Sequence, residues 1–187
     1  GVGLNAGPTL GTSSGEISRV ATSRAAAVSA CRRLAGSSSS AFATQLTSII
    51  YGDNDFTVAT GYNRLNADVM ADIYGASGPQ SFSTRGLPGA NTSGRGWEGS
   101  DGAGPRVRLI ENNGLGHNWP SGSGSSSGAF VNGNSIDYPE ELASFLSANN
   151  RRAGGSGADR APQVELQTQV QGSAISVTGR VTDDSAV

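Results

Sequence analysis

No lysine occurs anywhere in this sequence; all 13 basic residues are arginines. Set against 15 acidic residues they leave a formal net charge of −2. The arginines do not gather. Arg32-Arg33 and Arg151-Arg152 are isolated pairs, so nothing offers nucleic acid a basic face. Cysteine is nearly absent too. With Cys31 alone, no disulfide can close within the chain, and the thiol is either buried or paired outside these residues. A single histidine and a single cysteine make no ligand cluster, so neither metal nor cofactor is expected. No apolar run approaches the ~20 residues that span a bilayer. Without glycine, apolar residues are only 35% of the chain, and the usual share of roughly 45–50% is reached only when its 28 glycines are counted in. Gly, Ser, Asn and Thr fill the difference, so an ordered core must be concentrated in a few segments joined by long polar loops. The sequence opens at Gly1 without a methionine and stops at Val187 inside a strand-like run, and it reads as a fragment.

Those few segments alternate in type. Residues 2–6 (VGLNA) read as a short central strand, ended by Gly7-Pro8. Residues 16–34 read as a helix. Ile17, Val20, Ala21, Arg24, Ala25, Val28, Cys31 and Leu34 recur at steps of three and four; Ser13 and Glu16 stand at capping-box spacing, and Gly36 follows. The serine run 37–40 reads as loop. Residues 45–51 (QLTSIIY) are the strongest strand signal, β-branched and closed by Gly52. A second helix is expected over 62–74, with Leu65, Val69 and Ile73 on one stripe and Gly75 at its end. Residues 76–104 are rich in Gly, Ser and Pro, with a strand passing through 80–84. Another strand is expected at 106–111, a Gly/Ser loop at 112–128, and a last helix at 138–148 begun by Pro139. Residues 153–162 (AGGSGADRAP) form a linker. Beyond it Val164, Leu166, Ile175, Val177 and Val181 alternate with polar residues, the pattern of a β-hairpin opening a small all-β domain. Strands alternating with helices up to residue 152 argue a parallel sheet covered by helices. Chemistry in such sheets sits in loops at the carboxyl ends of strands, here 52–60 and 112–120.

The lone His117 stands in the second of these loops, between Gly116 and Asn118-Trp119-Pro120. Most lone histidines are structural or merely exposed, but the flanks argue otherwise. Gly116 lets the backbone turn sharply without a side chain beside the imidazole, and Pro120 stiffens the exit. Asp55 stands in the first loop, in Tyr51-Gly52-Asp53-Asn54-Asp55-Phe56-Thr57-Val58. On its own it would pass as a turn residue. Paired with a histidine loop after the next strand it reads as the acid that accepts the imidazole Nδ1–H, fixes its tautomer and stabilises the imidazolium. The chain order Asp then His matches the α/β-hydrolase order Ser, Asp, His.

The surrounding residues then become specific. Gly114–Gly122 (GLGHNWPSG) resembles the histidine motif of extracellular polyhydroxybutyrate depolymerases. Residues 51–58 resemble their acid motif, in which the Asp precedes an aromatic or hydroxyl residue, Thr and Val; this selects Asp55 over Asp53. Residues 1–7 resemble the strand after the nucleophile region, and 132–152 the final helix. The resemblance covers residues 1–152 and implies the C-terminal part of an α/β-hydrolase catalytic domain, without its nucleophile. Gly11-Thr12-Ser13-Ser14-Gly15 satisfies a Gly-x-Ser-x-Gly pattern literally, but an elbow serine follows a buried strand directly, and the Ser13/Glu16 capping box explains this site more simply.

The resemblance implies a secreted, extracellular serine esterase that acts on poly(3-hydroxybutyrate) or a related insoluble polyester. Its Ser and most of its oxyanion hole would lie upstream of Gly1, and it would need no cofactor or metal. Asp55 and His117 are the implied catalytic residues. Trp119 and Trp97 are candidates for lining the polymer cleft, with packing under the histidine loop the favoured reading for Trp119 and neither reading favoured for Trp97. A sibling esterase acting on feruloyl or acetyl groups of plant polysaccharide is the nearest alternative. A secreted binding or adhesion protein with a dead hydrolase-like domain is the alternative of another class. Residues 163–187 resemble the truncated start of an immunoglobulin- or fibronectin-like β-sandwich module, an architectural analogy only.

Overall fold

The computed structural model describes residues 1–78, 80–122, 128–152, 163–171 and 174–182. Residues 1–150 form one compact unit and residues 151–187 a second.

The first unit is built on a five-stranded sheet. Its strands are β1 (Val2–Asn5), β2 (Thr47–Gly52), β3 (Gln80–Phe82), β4 (Gly94–Asp101) and β5 (Gly104–Asn112), in the spatial order β1-β2-β5-β4-β3. β1, β2 and β5 run parallel, while β4 and β3 are antiparallel. The fold is therefore α/β with a mixed sheet rather than the purely parallel one expected. The central strand β2 (TSIIYG) is buried at every position, as a strand covered on both faces must be. On one face Ile49, Tyr51 and Leu109 pack with Ala6, Leu4, Trp97 and Ala67, the last from helix α2 (Gly61–Tyr74). On the other, Ile50 and Ile110 pack with Ile136, Tyr138 and Leu142, the last two from helix α3 (Tyr138–Ala148). α2 ends as expected on Gly75, at φ +67. α3 begins on Asp137, whose carboxylate accepts the Glu140 N–H, with Pro139 in the first turn.

Two differences from the sequence reading come from contacts distant in sequence. The first is the start of helix α1, which spans Arg24–Ala35 rather than 16–34. Ser13 and Glu16 do bond, but they close a single 3₁₀ turn, Ser14–Glu16. The next residues are held by the buried Tyr62, whose hydroxyl donates to Arg19 O at 2.6 Å and accepts from Ala21 N at 2.9 Å. Backbone groups spent on a tertiary partner cannot close helical turns, and the helix starts where Ser23 caps Ala26 N. The serine run likewise sits in a 3₁₀ stretch, Gly36–Thr44, rather than open loop.

The second is β4, which glycine content hid. Gly94 and Gly96 belong to the strand because a Cβ at Gly94 would lie 1.9 Å from Glu111 O, and one at Gly96 about 2.4 Å from the Phe82 ring. They are glycines of close approach, not of a turn. Buried charge stitches the sheet to its covering layers. Arg108 pairs with Glu98 and with Glu141 of α3, and Arg106 bonds Asp101, Gln45 O and Phe42 O.

The second unit contains an antiparallel hairpin, β8 (Gln163–Gln171) with β9 (Ala174–Thr182). The linker expected at 153–162, and residues 183–187 of the β module expected there, lie outside the described residues.

Candidate active site

β2 and β5 lie side by side and parallel, with Gly52 level with Asn112, so both expected loops leave the same edge of the sheet. There the loops are laced together. Asp53 N–H donates to Asn112 O, Asn54 N–H to Leu115 O, and Gly114 N–H to the Asp53 carboxylate at 2.7 Å. Leu115 is 1% exposed and anchors the histidine loop in the core. It presses so closely on β2 that a Cβ at Gly52 would sit 1.7 Å from its carbonyl oxygen. Gly114, at φ +77, makes the turn that brings Leu115 inward.

This lacing brings Asp55 to His117. Asp55 Oδ2 lies 2.9 Å from His117 Nδ1. The Asp55 side chain is 0% exposed and its other oxygen accepts the N–H groups of Thr57 (2.8 Å) and Val58 (3.0 Å). The carboxylate is thereby locked in one rotamer. A carboxylate can only accept, so Nδ1 is the donor and the neutral ring keeps its lone pair on Nε2. The imidazole, 35% exposed, remains reachable from solvent. Asp53 is instead a loop staple.

The chain leaves His117 under equal constraint. Asn118 N–H donates back to Gly116 O at 2.8 Å, placing His117 at the apex of a tight turn. Trp119 and Pro120 form a short strand β6 (Trp119–Pro120) paired parallel with β7 (Val131–Asn132). Gly122 N–H bonds Ser135 Oγ. Asn112, fully buried, ties the loop base to Ile136 N, Asn91 O and Ser93 O.

Trp119 packs edge-on against Tyr138, ring centroids 5.7 Å apart, and still exposes 39% of its surface, so it both supports the loop and faces outward. Trp97 is not brought to the pair. It lies within β4, level with Leu109 and about three residues short of the strand end, in the layer under α2, with Arg64 stacked on it at 4.2 Å. Three features escaped the sequence reading. Phe56, adjacent to Asp55, is 88% exposed. Phe130, whose carbonyl accepts the Trp119 N–H, is exposed at the positive φ of +69. Asn5, at the end of β1, reaches the histidine loop. Phe56 was visible as an aromatic in a polar loop; nothing local marked the other two. Ser13 is exposed and engaged with Glu16, as a capping residue is.

Among the described residues no group of three or more potential metal-ligating His, Cys, Asp or Glu side chains stands together, and no helix is long and apolar enough to cross a membrane. No protein-family model matches the chain. A poly(3-hydroxybutyrate) depolymerase of Ralstonia pickettii is similar to it, with 33% identity over 163 residues. The match takes in 86% of this chain and 33% of that protein, so the chain spans about a third of the relative's length.

Proposed function

This chain belongs to a poly(3-hydroxybutyrate) depolymerase-like family, and from that membership we propose that it carries the Asp–His half of an α/β-hydrolase that cleaves poly(3-hydroxybutyrate) or a related polyester. The nucleophilic serine is supplied by sequence outside these 187 residues, as is most of the oxyanion hole. The observation that carries the reading is the 2.9 Å contact between the buried Asp55 carboxylate and His117 Nδ1, made across the ends of adjacent parallel strands.

The chemistry follows from that contact. His117 Nε2 takes the proton of the serine hydroxyl as its oxygen attacks the ester carbonyl. Asp55 fixes the tautomer that makes Nε2 the acceptor, and stabilises the imidazolium. The imidazolium then protonates the departing alkoxide, leaving an acyl-enzyme. Water, deprotonated by Nε2, attacks the acyl carbon, and the serine leaves with the returned proton. Every proton is handed over and recovered by one nitrogen, so no redox partner enters.

The substrate reading draws on the same rim. Phe56, Trp119 and Phe130 place exposed aromatic surface in or next to the two catalytic loops. Apolar area of this kind suits a water-insoluble chain that offers little to hydrogen-bond. Trp97, half-buried in the layer under α2, is left out of that surface. On this family reading the protein is a secreted, extracellular enzyme that meets its insoluble polymer outside the cell.

The test is hydrolysis of p-nitrophenyl butyrate by the full coding chain. His117→Ala abolishes turnover while circular dichroism is unchanged. A burst of acylation that survives the substitution removes His117 as the base.

A further inference from the structure

Three neighbouring strands end at this site, and two of them have an assigned part: β2 leads to Asp55 and β5 to His117. We infer that the third, β1, supplies a positioning residue, Asn5, which holds the exit of the histidine turn and so the orientation of the imidazole. The consequence for catalysis rests on the hydrolase reading; the effect on the ring does not.

Asn5 is the last residue of β1, level with Ile50 of β2. Its side-chain Nδ2 donates to the backbone carbonyl of Asn118 at 3.1 Å, joining positions 113 residues apart in sequence. Only the amide nitrogen can donate to a carbonyl, so the orientation of the Asn5 amide is fixed. Its Oδ1 is then buried without a partner among the described residues. An unmade hydrogen bond at a buried acceptor is a cost, and the residue level with Asn5 on the neighbouring strand is the apolar Ile50, so packing alone does not call for an amide here. The next residue, Ala6, is 3% exposed and held at φ +48, a left-handed conformation unusual for a residue with a side chain. Strain of this kind collects where a side chain must be aimed.

The mechanical effect can be traced. The turn bearing His117 is pinned at entry by Leu115, buried and bonded through its carbonyl to Asn54. At its exit the grips are Asn5 on Asn118 and the Trp119 N–H to Phe130 O bond. Clamped at both ends, His117 retains only its side-chain torsions, and Asp55 stops those. With Asn5 removed, the exit keeps the β6–β7 pairing and the packing of Trp119 on Tyr138, and neither of these holds the Asn118 carbonyl.

In the full coding chain the ring signal of His117 is identified by its loss in His117→Ala, which makes the test direct. The proton on Nδ1 gives its own downfield resonance in an imidazole ¹⁵N–¹H spectrum, and its exchange with solvent reports how firmly Asp55 holds the ring. Asn5→Leu is nearly isosteric, removes the donor and also removes the unpaired Oδ1; Asn5→Ala is the second variant. Expected for both is exchange of the Nδ1 proton faster by roughly fivefold or more, the value of one lost hydrogen bond. Asn5→Leu should unfold no earlier than wild type. In the full coding chain, kcat on a soluble ester should fall on the order of 10- to 100-fold with KM nearly constant, the effect of a slightly misplaced catalytic group. Unchanged Nδ1 exchange in both variants overturns the inference. So does exchange that rises only in proportion to lost global stability, which would make Asn5 merely structural. Faster exchange in a chain whose wild type hydrolyses no ester would leave the positioning role standing and sink the hydrolase reading instead.

Discussion

Replacing Gly52 with alanine would put a methyl carbon 1.7 Å from the carbonyl oxygen of Leu115 and 2.8 Å from its Cβ. Contacts under 3.0 Å at such a carbon are essentially never tolerated, so the two loops must part by more than an ångström. The φ of Gly52 is not in the left-handed region, so alanine meets no backbone penalty there, and the whole effect is steric. Parting the loops stretches the Asp53 N to Asn112 O bond (3.3 Å), the Asn54 N to Leu115 O bond (3.1 Å) and the Gly114 N to Asp53 Oδ1 bond (2.7 Å). At about 1 kcal/mol each, less what water returns to the exposed pair, the loss is about 2–3 kcal/mol. For a domain of this size that lowers Tm by roughly 4–12 °C, readable by circular dichroism. The same displacement separates Asp55 from His117, so the Nδ1 proton signal should broaden or vanish in the variant even well below its Tm. A strain-free Gly→Ala change would instead raise stability by about 0.4–1 kcal/mol. An alanine variant at position 52 with unchanged or higher Tm and an intact imidazole signal would refute the claim that this close approach sets the geometry of the pair.

Further outcomes follow from other contacts. Asp55→Asn should lower ester turnover of the full coding chain on the order of 10⁴-fold with little change in fold, because the wrong imidazole tautomer results; if Asp53→Asn does this and Asp55→Asn does not, the acid is misassigned. Ser13→Ala should leave turnover intact and cost about 0.5–1 kcal/mol in urea unfolding, the worth of a cap; lost turnover in a folded variant would make Ser13 the nucleophile. Glu141→Ala removes a buried carboxylate from Arg108, which keeps Glu98 as its partner, and should cost about 2 kcal/mol, the worth of a charged hydrogen bond, against less than about 0.5 kcal/mol for Arg24→Ala at an exposed pair; similar urea midpoints for the two would contradict the burial argument. Burial pushes the Tyr138 phenol up to about 12. Below pH 10 both states keep that proton. From pH 10 to 12 only the unfolded chain sheds it, so stability should fall across that window, by about 2 kcal/mol. Flat urea midpoints from pH 10 to 12 would exclude a buried phenol there.

The pair was legible in the sequence because its evidence is local. A β-branched run closed by Gly52 marks one loop, and a histidine between Gly116 and Pro120 marks the other. Parallel strands then leave few ways to arrange them. Helix ends written in local chemistry were equally legible: Gly75 at the end of α2, and Pro139 at the start of α3. What could not be read depended on contacts distant in sequence. β4 looked like loop because Gly94 and Gly96 answer to Glu111 and Phe82 rather than to a turn. The first turns of the expected helix were lost to the hydroxyl of Tyr62, over 40 residues on. Trp97 seemed free to line a cleft because its loop-like neighbours concealed a strand, and Arg64, which covers it, lies on another element. Asn5 carried no mark at all, since its partner is 113 residues away.

The most direct measurement of the central claim is release of soluble hydroxyacid oligomers from a poly(3-hydroxybutyrate) film by the full coding chain and its His117→Ala variant. The account predicts release by the wild type and none above background from a variant that folds and still adsorbs to the film. Release that persists without His117, or a wild type that leaves the film untouched while cleaving feruloyl esters, would contradict it.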